Sequence, residues 1–208
     1  MSRLLAVLLF LVLPLPAAAE PVDDVRESFL VYKSAIIEAD GEAAAGVVSQ
    51  DSRNYFRKLA DHALTLDHDG LHQIHVSDRL YAMLLRHNLD RATLQGMSGG
   101  EVVSYAVDEG WIGREGATQL RLGHYEVDGD HASGTILRPD GLKTSFKMEF
   151  VKEGDKWLLD LVALMQLTRT AFEFAVQQSG LSEDEFVMLM LEHGSGRKPG
   201  PEIWSPPS

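Results

Sequence analysis

Five histidines crowd one stretch of this chain: His62, His68, His72, His75 and His87, interleaved with Asp61, Asp67 and Asp69. Imidazole and carboxylate together form a donor set for zinc or copper. His68, His72 and His75 are the candidate ligands. Their order, D-H-D-G-L-H-Q-I-H, is not the H-E-x-x-H of helical zinc sites. The Asp69-Gly70 pair also predicts a turn where a helix would be needed to bring His68 and His72 to one face. Thr65–Val76 therefore reads as a solvated loop, with metal capture as the alternative.

A second chemical candidate is Asp160, in Trp157-Leu158-Leu159-Asp160-Leu161-Val162-Ala163. Read as a strand, this run places Leu158, Asp160 and Val162 on one face. A carboxylate among such neighbours has its proton affinity raised by desolvation and suits a general base. The plainer reading has it exposed, or paired with Arg86 or Arg169. Tyr32, Tyr105, Trp111, His124, Tyr125 and Trp157 are candidates for an aromatic pocket lining, against the alternative that they are core or rim. His124 and Tyr125 are adjacent on one predicted strand and so point to opposite faces.

Other chemistries lack their residues. The sequence has no G-x-S-x-G, G-x-G-x-x-G, P-loop or S-x-x-K, so triad hydrolysis and dinucleotide chemistry are disfavoured and no cofactor is expected. Cysteine is absent, which removes thiol nucleophiles, thiolate metal sites and disulfide staples.

The elements that must position these residues follow from periodicity and punctuation. Arg3, the apolar run Leu4–Leu13, Pro14, Pro16 and Ala17–Ala19 have the form of a secretory signal cleaved after Ala19. The apolar core is shorter than the ~20 residues that span a bilayer. An exported protein, periplasmic or secreted, without stable membrane insertion is expected. Val22, Val25, Phe29, Tyr32 and Ile36 mark one helical face, ended by Asp40-Gly41. Ser49 or Asp51 caps a helix burying Tyr55, Phe56, Leu59 and Ala63, and Ser77 caps another over Asp78–Asp90. Ser98-Gly99-Gly100-Glu101 is a capping box.

From Gln119 to Leu164 four alternating runs are separated by Asp128-Gly129-Asp130, Pro139-Asp140-Gly141 and Glu153-Gly154-Asp155, the pattern of an antiparallel meander. Leu167–Ser179 and Phe186–His193 follow as helices, the second opened by a capping box at Ser182. The Gly/Pro/Ser-rich residues 194–208 form an irregular tail that Ile203-Trp204 can anchor. The expected class is α+β in a single domain over residues 20–193: N-terminal helices packed on a curved antiparallel sheet, with an added C-terminal helical pair.

The length of 208 residues fits one core, and the formal charge of −12 without a basic stretch disfavours nucleic acid or an anionic lipid surface as partner.

The helices before the meander, together with Phe150-Val151-Lys152-Glu153-Gly154-Asp155-Lys156-Trp157-Leu158-Leu159-Asp160-Leu161, give a pattern that resembles the nuclear transport factor 2-like superfamily of cone-shaped α+β rolls. The resemblance covers about Val22–Leu164, and the C-terminal helical pair departs from it. It implies a pocket between the concave sheet face and the helices. Members of that superfamily include isomerases, dehydratases and epoxide hydrolases as well as non-catalytic binding modules, so fold alone leaves activity open. The expectation is a non-catalytic protein that binds a small apolar molecule or another protein, with a homodimer through the outer sheet face as a further possibility. The alternatives are a cofactor-free isomerase, dehydratase or hydrolase using Asp160, and a metal-binding protein using His62–His87.

Overall fold

The computed structural model describes residues 21–208, so the signal-like segment Met1–Ala19 lies outside the described residues. Helix α1 (Pro21–Glu38) begins on a proline whose missing amide hydrogen is no loss in a first turn. It buries Val25, Phe29, Tyr32, Ala35 and Ile36 as one stripe. Asp40 then caps α2 (Gly41–Gly46), and Ser49 caps α3 (Gln50–Thr65) by accepting from the Ser52 amide.

Next come α4 (His68–His72), α5 (Val76–Asn88) and α6 (Arg91–Gly96). Helix α7 (Gly99–Asp108) carries the Ser98/Glu101 capping box in full, and α8 (Arg114–Gln119) leads into the sheet. Strands β1 (Arg121–Asp128), β2 (His131–Leu137), β3 (Lys143–Glu153) and β4 (Lys156–Asp160) form an antiparallel meander in the order β1-β2-β3-β4. Helix α9 (Leu161–Ser179) ends on left-handed Gly180, and α10 (Glu183–Ser195) opens on the Ser182/Glu185 capping box. A 3-10 turn, Pro201–Trp204, lies in the tail and buries Ile203. The protein is thus α+β, with ten α-helices and one four-stranded antiparallel sheet among the described residues.

Four local expectations need correction. Thr65–Val76 is not a loop: the Asp67 side chain accepts from the Gly70 amide at 2.9 Å and starts α4, whose Leu71 is wholly buried. The cap and the buried leucine outweigh the cost of Gly70 inside a helix. Helix α5 is capped by His75 rather than Ser77 and begins two residues earlier than the serine signal suggests. Gln119 is the last residue of α8 and not the first of the meander, whose first strand begins at Arg121. The fourth strand stops at Asp160, and Leu161, Leu164, Met165 and Thr168 follow helical rather than alternating spacing.

Helix α1 lies against β1, β4 and α8, α9 against β3, and α3 against β4. A short parallel bridge, Val48 to Leu159, stitches the helical layer to the sheet. Ala132, Met148, Phe150, Trp157 and Leu159 are buried between them. Packing of α7 on α3 needs Gly99: a Cβ there would stand 1.8 Å from the Arg53 carbonyl oxygen.

Arg86 closes the far end of the helical layer. Buried on α5, it donates to the carbonyls of Ala63 and Ile203 at 2.9 Å and of Leu66 at 2.6 Å. One guanidinium thereby caps the last turn of α3 and fastens the tail, and desolvation lowers its pKa to about 10. No helix among the described residues is long and apolar enough to cross a membrane.

Candidate functional site

Two small pockets flank Met165 on α9. The first is apolar, about 180 Å³, and is lined by Tyr32, Phe56, Tyr81, Trp111, Ile112, Gly113, Leu161, Leu164, Met165 and Thr168. Its walls come from α1, α3, α5, the segment between α7 and α8, and α9. Each wall follows from a local rule. The α1 stripe turns Tyr32 inward, Gly110 in the left-handed conformation ends α7 so that Trp111 folds back, and the capped start of α9 delivers Leu161, Leu164 and Met165. Trp111 is held edge-on by Tyr105, with ring centroids 5.3 Å apart. Exposed Gly113 and Thr168 form the rim.

Burial raises the pKa of both Tyr32 and Tyr81, so the hydroxyls stay protonated at neutral pH. A cavity of this size matches one that accepts a benzene-sized guest.

The second pocket, about 190 Å³, gathers six polar or charged side chains in its lining. Tyr55, Lys58 and His62 stand on one face of α3, Asp78 comes from the first turn of α5, and Val162, Gln166 and Arg169 share a face of α9. Tyr55 donates its hydroxyl to Asp78 Oδ1 at 2.6 Å, and Arg169 Nη2 donates to Asp78 Oδ2 at 2.8 Å. Burial and then the Asp78 carboxylate push the Tyr55 pKa up. Desolvation and then Lys58 push the His62 pKa below 6.5, which leaves a neutral imidazole whose buried Nδ1 has no hydrogen-bond partner among the described residues. A neutral base beside a tyrosine, a carboxylate and two cations has the parts for binding a polar group or moving a proton.

The residues singled out from sequence separate into several places. Tyr32 and Trp111 line the apolar pocket and Tyr105 backs it. Trp157 is core, and its accessible edge belongs to a different groove with Asp24, Glu27 and Val31. Tyr125 is half-buried with the Arg26 guanidinium 5.3 Å above its ring. His124 occupies a bulge in β1, at φ +24°, where strand alternation fails; it is exposed and lies 3.2 Å from Glu126. His124, Tyr125 and Trp157 are therefore not lining residues of the apolar pocket.

Asp160 also requires correction as a pocket base. It is the N-cap of α9, and its Oδ1 accepts from the Val162 and Ala163 amides at 2.9 and 3.4 Å. Asp160 lines neither pocket beside Met165. Its cross-strand neighbour is Glu149, whose pKa is raised by desolvation and then, against the opposing pull of Lys147, by Asp160. Arg169, a suggested partner of Asp160, pairs with Asp78 instead.

Of the metal candidates, His68 and His72 share one turn of α4 with ring centroids 4.4 Å apart. His75 does not join them. Its Nδ1 accepts from the Ser77 amide at 3.1 Å and its Nε2 meets Glu173 at 3.1 Å. The polar pocket was not foreseen. The signal was present as the i, i+3, i+7 spacing of Tyr55, Lys58 and His62, but nothing local ties that face to Asp78 or Arg169.

Compared with known proteins, the chain matches no family model, and no curated protein or solved structure is detectably similar to it.

Proposed function

We propose that this chain is an exported, non-catalytic binding protein that takes a small apolar molecule into the pocket between Tyr32, Tyr81, Trp111 and Leu164. The observation that carries this reading is the lining itself: four aromatic and four aliphatic side chains around about 180 Å³, with a rim of Gly113 and Thr168. Enclosure by apolar walls with a few polar groups is what small-molecule sites have in common. The pocket differs from the one implied by a nuclear transport factor 2-like roll, because helices and the start of α9 line it instead of the concave sheet face. Kinship with that superfamily is part of the proposal and rests on the antiparallel meander with α1 laid across it. Export rests on the signal-like residues 1–19.

The test is a panel of benzene, toluene, phenol and indole, titrated by calorimetry and followed by amide chemical shifts. Saturable binding with shifts at Gly113 and Thr168, lost in Leu164→Trp, is the expected result. Unchanged spectra across the panel would sink the proposal.

The polar pocket favours a second reading, cofactor-free proton transfer with His62 as base in place of Asp160. It requires turnover in an isomerase, dehydratase or hydrolase screen that disappears in His62→Gln while the circular dichroism spectrum stays the same.

A further inference from the structure

Among the described residues, His68, His72 and Asp184 each offer a donor atom within 4.8 Å of the other two. Three elements converge to make this group. Helix α4 supplies both imidazoles at i and i+4, one turn apart. The first turn of α10 supplies Asp184. The tail supplies Trp204, which stacks on His72 at 5.5 Å and 16° and meets His68 at 5.0 Å.

The hydrogen bonds fix the chemistry at His72. Its Nδ1 lies 2.7 Å from the His68 carbonyl oxygen, which can only accept, so Nδ1 carries the proton. In the neutral ring Nε2 is then a lone pair. It faces Asp184 Oδ1, another acceptor, at 2.9 Å. Two acceptors at that distance need a cation between them, either a second proton on the ring or a metal ion. A ring N–H fixed on a backbone carbonyl is the usual arrangement of a metal-ligating histidine.

A buried arginine holds the carboxylate. Arg79, almost fully buried, donates Nη1 to Asp184 Oδ1, the same oxygen that faces His72 Nε2, and Nη2 to Glu183, each at 2.9 Å, and so fixes the carboxylate in place. The formal charge of Asp67, Asp69, Glu183 and Asp184 exceeds that of this one arginine. His68 Nδ1 is only loosely engaged, 3.3 Å from Asp69, and its ring packs beside that of His72.

We infer that His68, His72 and Asp184 bind a late first-row divalent cation, zinc or copper, with water completing the shell. Two imidazoles and one carboxylate select these ions over magnesium or calcium, which prefer all-oxygen shells. Tetrahedral bonds of about 2.1 Å need donors about 3.4 Å apart, so Nε2 and Oδ1 separate by about half an ångström on binding. The ion ties α4 to α10 beneath Trp204. This site is independent of the apolar pocket, and His75 has no part in it.

Tag-free, chelator-stripped protein titrated with zinc chloride and, separately, copper sulfate by calorimetry tests the inference. One saturable site is expected, with no heat from magnesium or calcium chloride. His68→Ala and His72→Ala should each weaken zinc by about tenfold or more, since even an outer-shell partner is worth that much. Trp204 gives a second readout. Copper should quench its fluorescence, and Trp204→Phe should remove that signal while calorimetric binding persists. Absence of saturable heat with both metals would mean that a proton alone bridges His72 and Asp184, and would overturn the inference. Binding unchanged in both histidine variants would overturn it equally.

Discussion

Arg169 on α9 donates through Nη2 to Oδ2 of Asp78 on α5 at 2.8 Å. The same carboxylate takes the Tyr55 hydroxyl from α3 at 2.6 Å, so one nearly buried side chain ties three helices together. Asp78→Ala leaves a tyrosine and an arginine facing each other without their acceptor. A loss of about 2–3 kcal/mol is expected, the cost of stranding partly buried donors. Tyr55→Phe removes one donor and nothing else, so it should cost about 1 kcal/mol. Urea midpoints at constant m-value measure both. Equal losses for the two variants would contradict a carboxylate-centred network.

His62 borders the same pocket and gives it a pH dependence. Burial, then Lys58, lowers its folded pKa beneath 6.5, with Asp78 and Asp61 pulling the other way. Above pH 6.5 neither the folded nor the unfolded chain holds this proton, and stability is complete. As pH falls through 6.5 the unfolded chain binds the proton first, so stability declines until the folded pKa is reached and is flat below it. His62→Gln should flatten that part of the curve. Melting temperatures of both proteins between about pH 5 and pH 7.5 provide the comparison. Parallel curves would show that His62 titrates as it does in the unfolded chain.

What could be read from the sequence was whatever is written locally. Ser49, Ser98 and Ser182 each sit three residues before a group that answers their cap, and all three helices begin where those signals stand. The meander turns at Asp128, Pro139 and Gly154 are equally local, and the strands between them pair in sequence order. At Asp160 the sequence is locally ambiguous. Leu158-Leu159-Asp160-Leu161-Val162 is apolar enough to satisfy both periods, and the decision falls to Ser52, whose hydroxyl accepts the Leu161 amide at 2.7 Å from more than a hundred residues away. The polar pocket and the His68–His72–Asp184 group share that property. Each joins α3 or α4 to α9 or α10, and contacts of such separation leave no spacing to read.

Gly99 bears on helix packing directly. Its absent Cβ lets the α7 backbone approach Arg53 on α3, where an added carbon would overlap a carbonyl oxygen at 1.8 Å. No side-chain rotation relieves a backbone overlap, so Gly99→Ala must push the two helices apart. A cost of about 3 kcal/mol is expected, at the upper end of overpacking penalties. Gly116→Ala on α8 is the control. It meets nothing within 4 Å and should stabilise by about 0.5–1 kcal/mol through helix propensity alone. Thermal unfolding of the two variants should therefore shift in opposite directions.

Met165 divides the two pockets, lining the apolar one on one side and the polar one on the other. Met165→Ala deletes that partition. Removing a buried methionine costs about 2–5 kcal/mol, and a site already bordered by two cavities belongs near 2, because fewer packing contacts are lost. The larger effect is on what can bind. Joined volumes would admit a ligand with an apolar ring and a polar end, the ring against Tyr32 and Trp111 and the end near His62 and Arg169. Phenylacetate is therefore expected to bind the variant more tightly than the parent, while benzene affinity falls as its cavity becomes oversized. Calorimetry with these two ligands decides the matter: unchanged selectivity would mean that Met165 does not separate the pockets in solution.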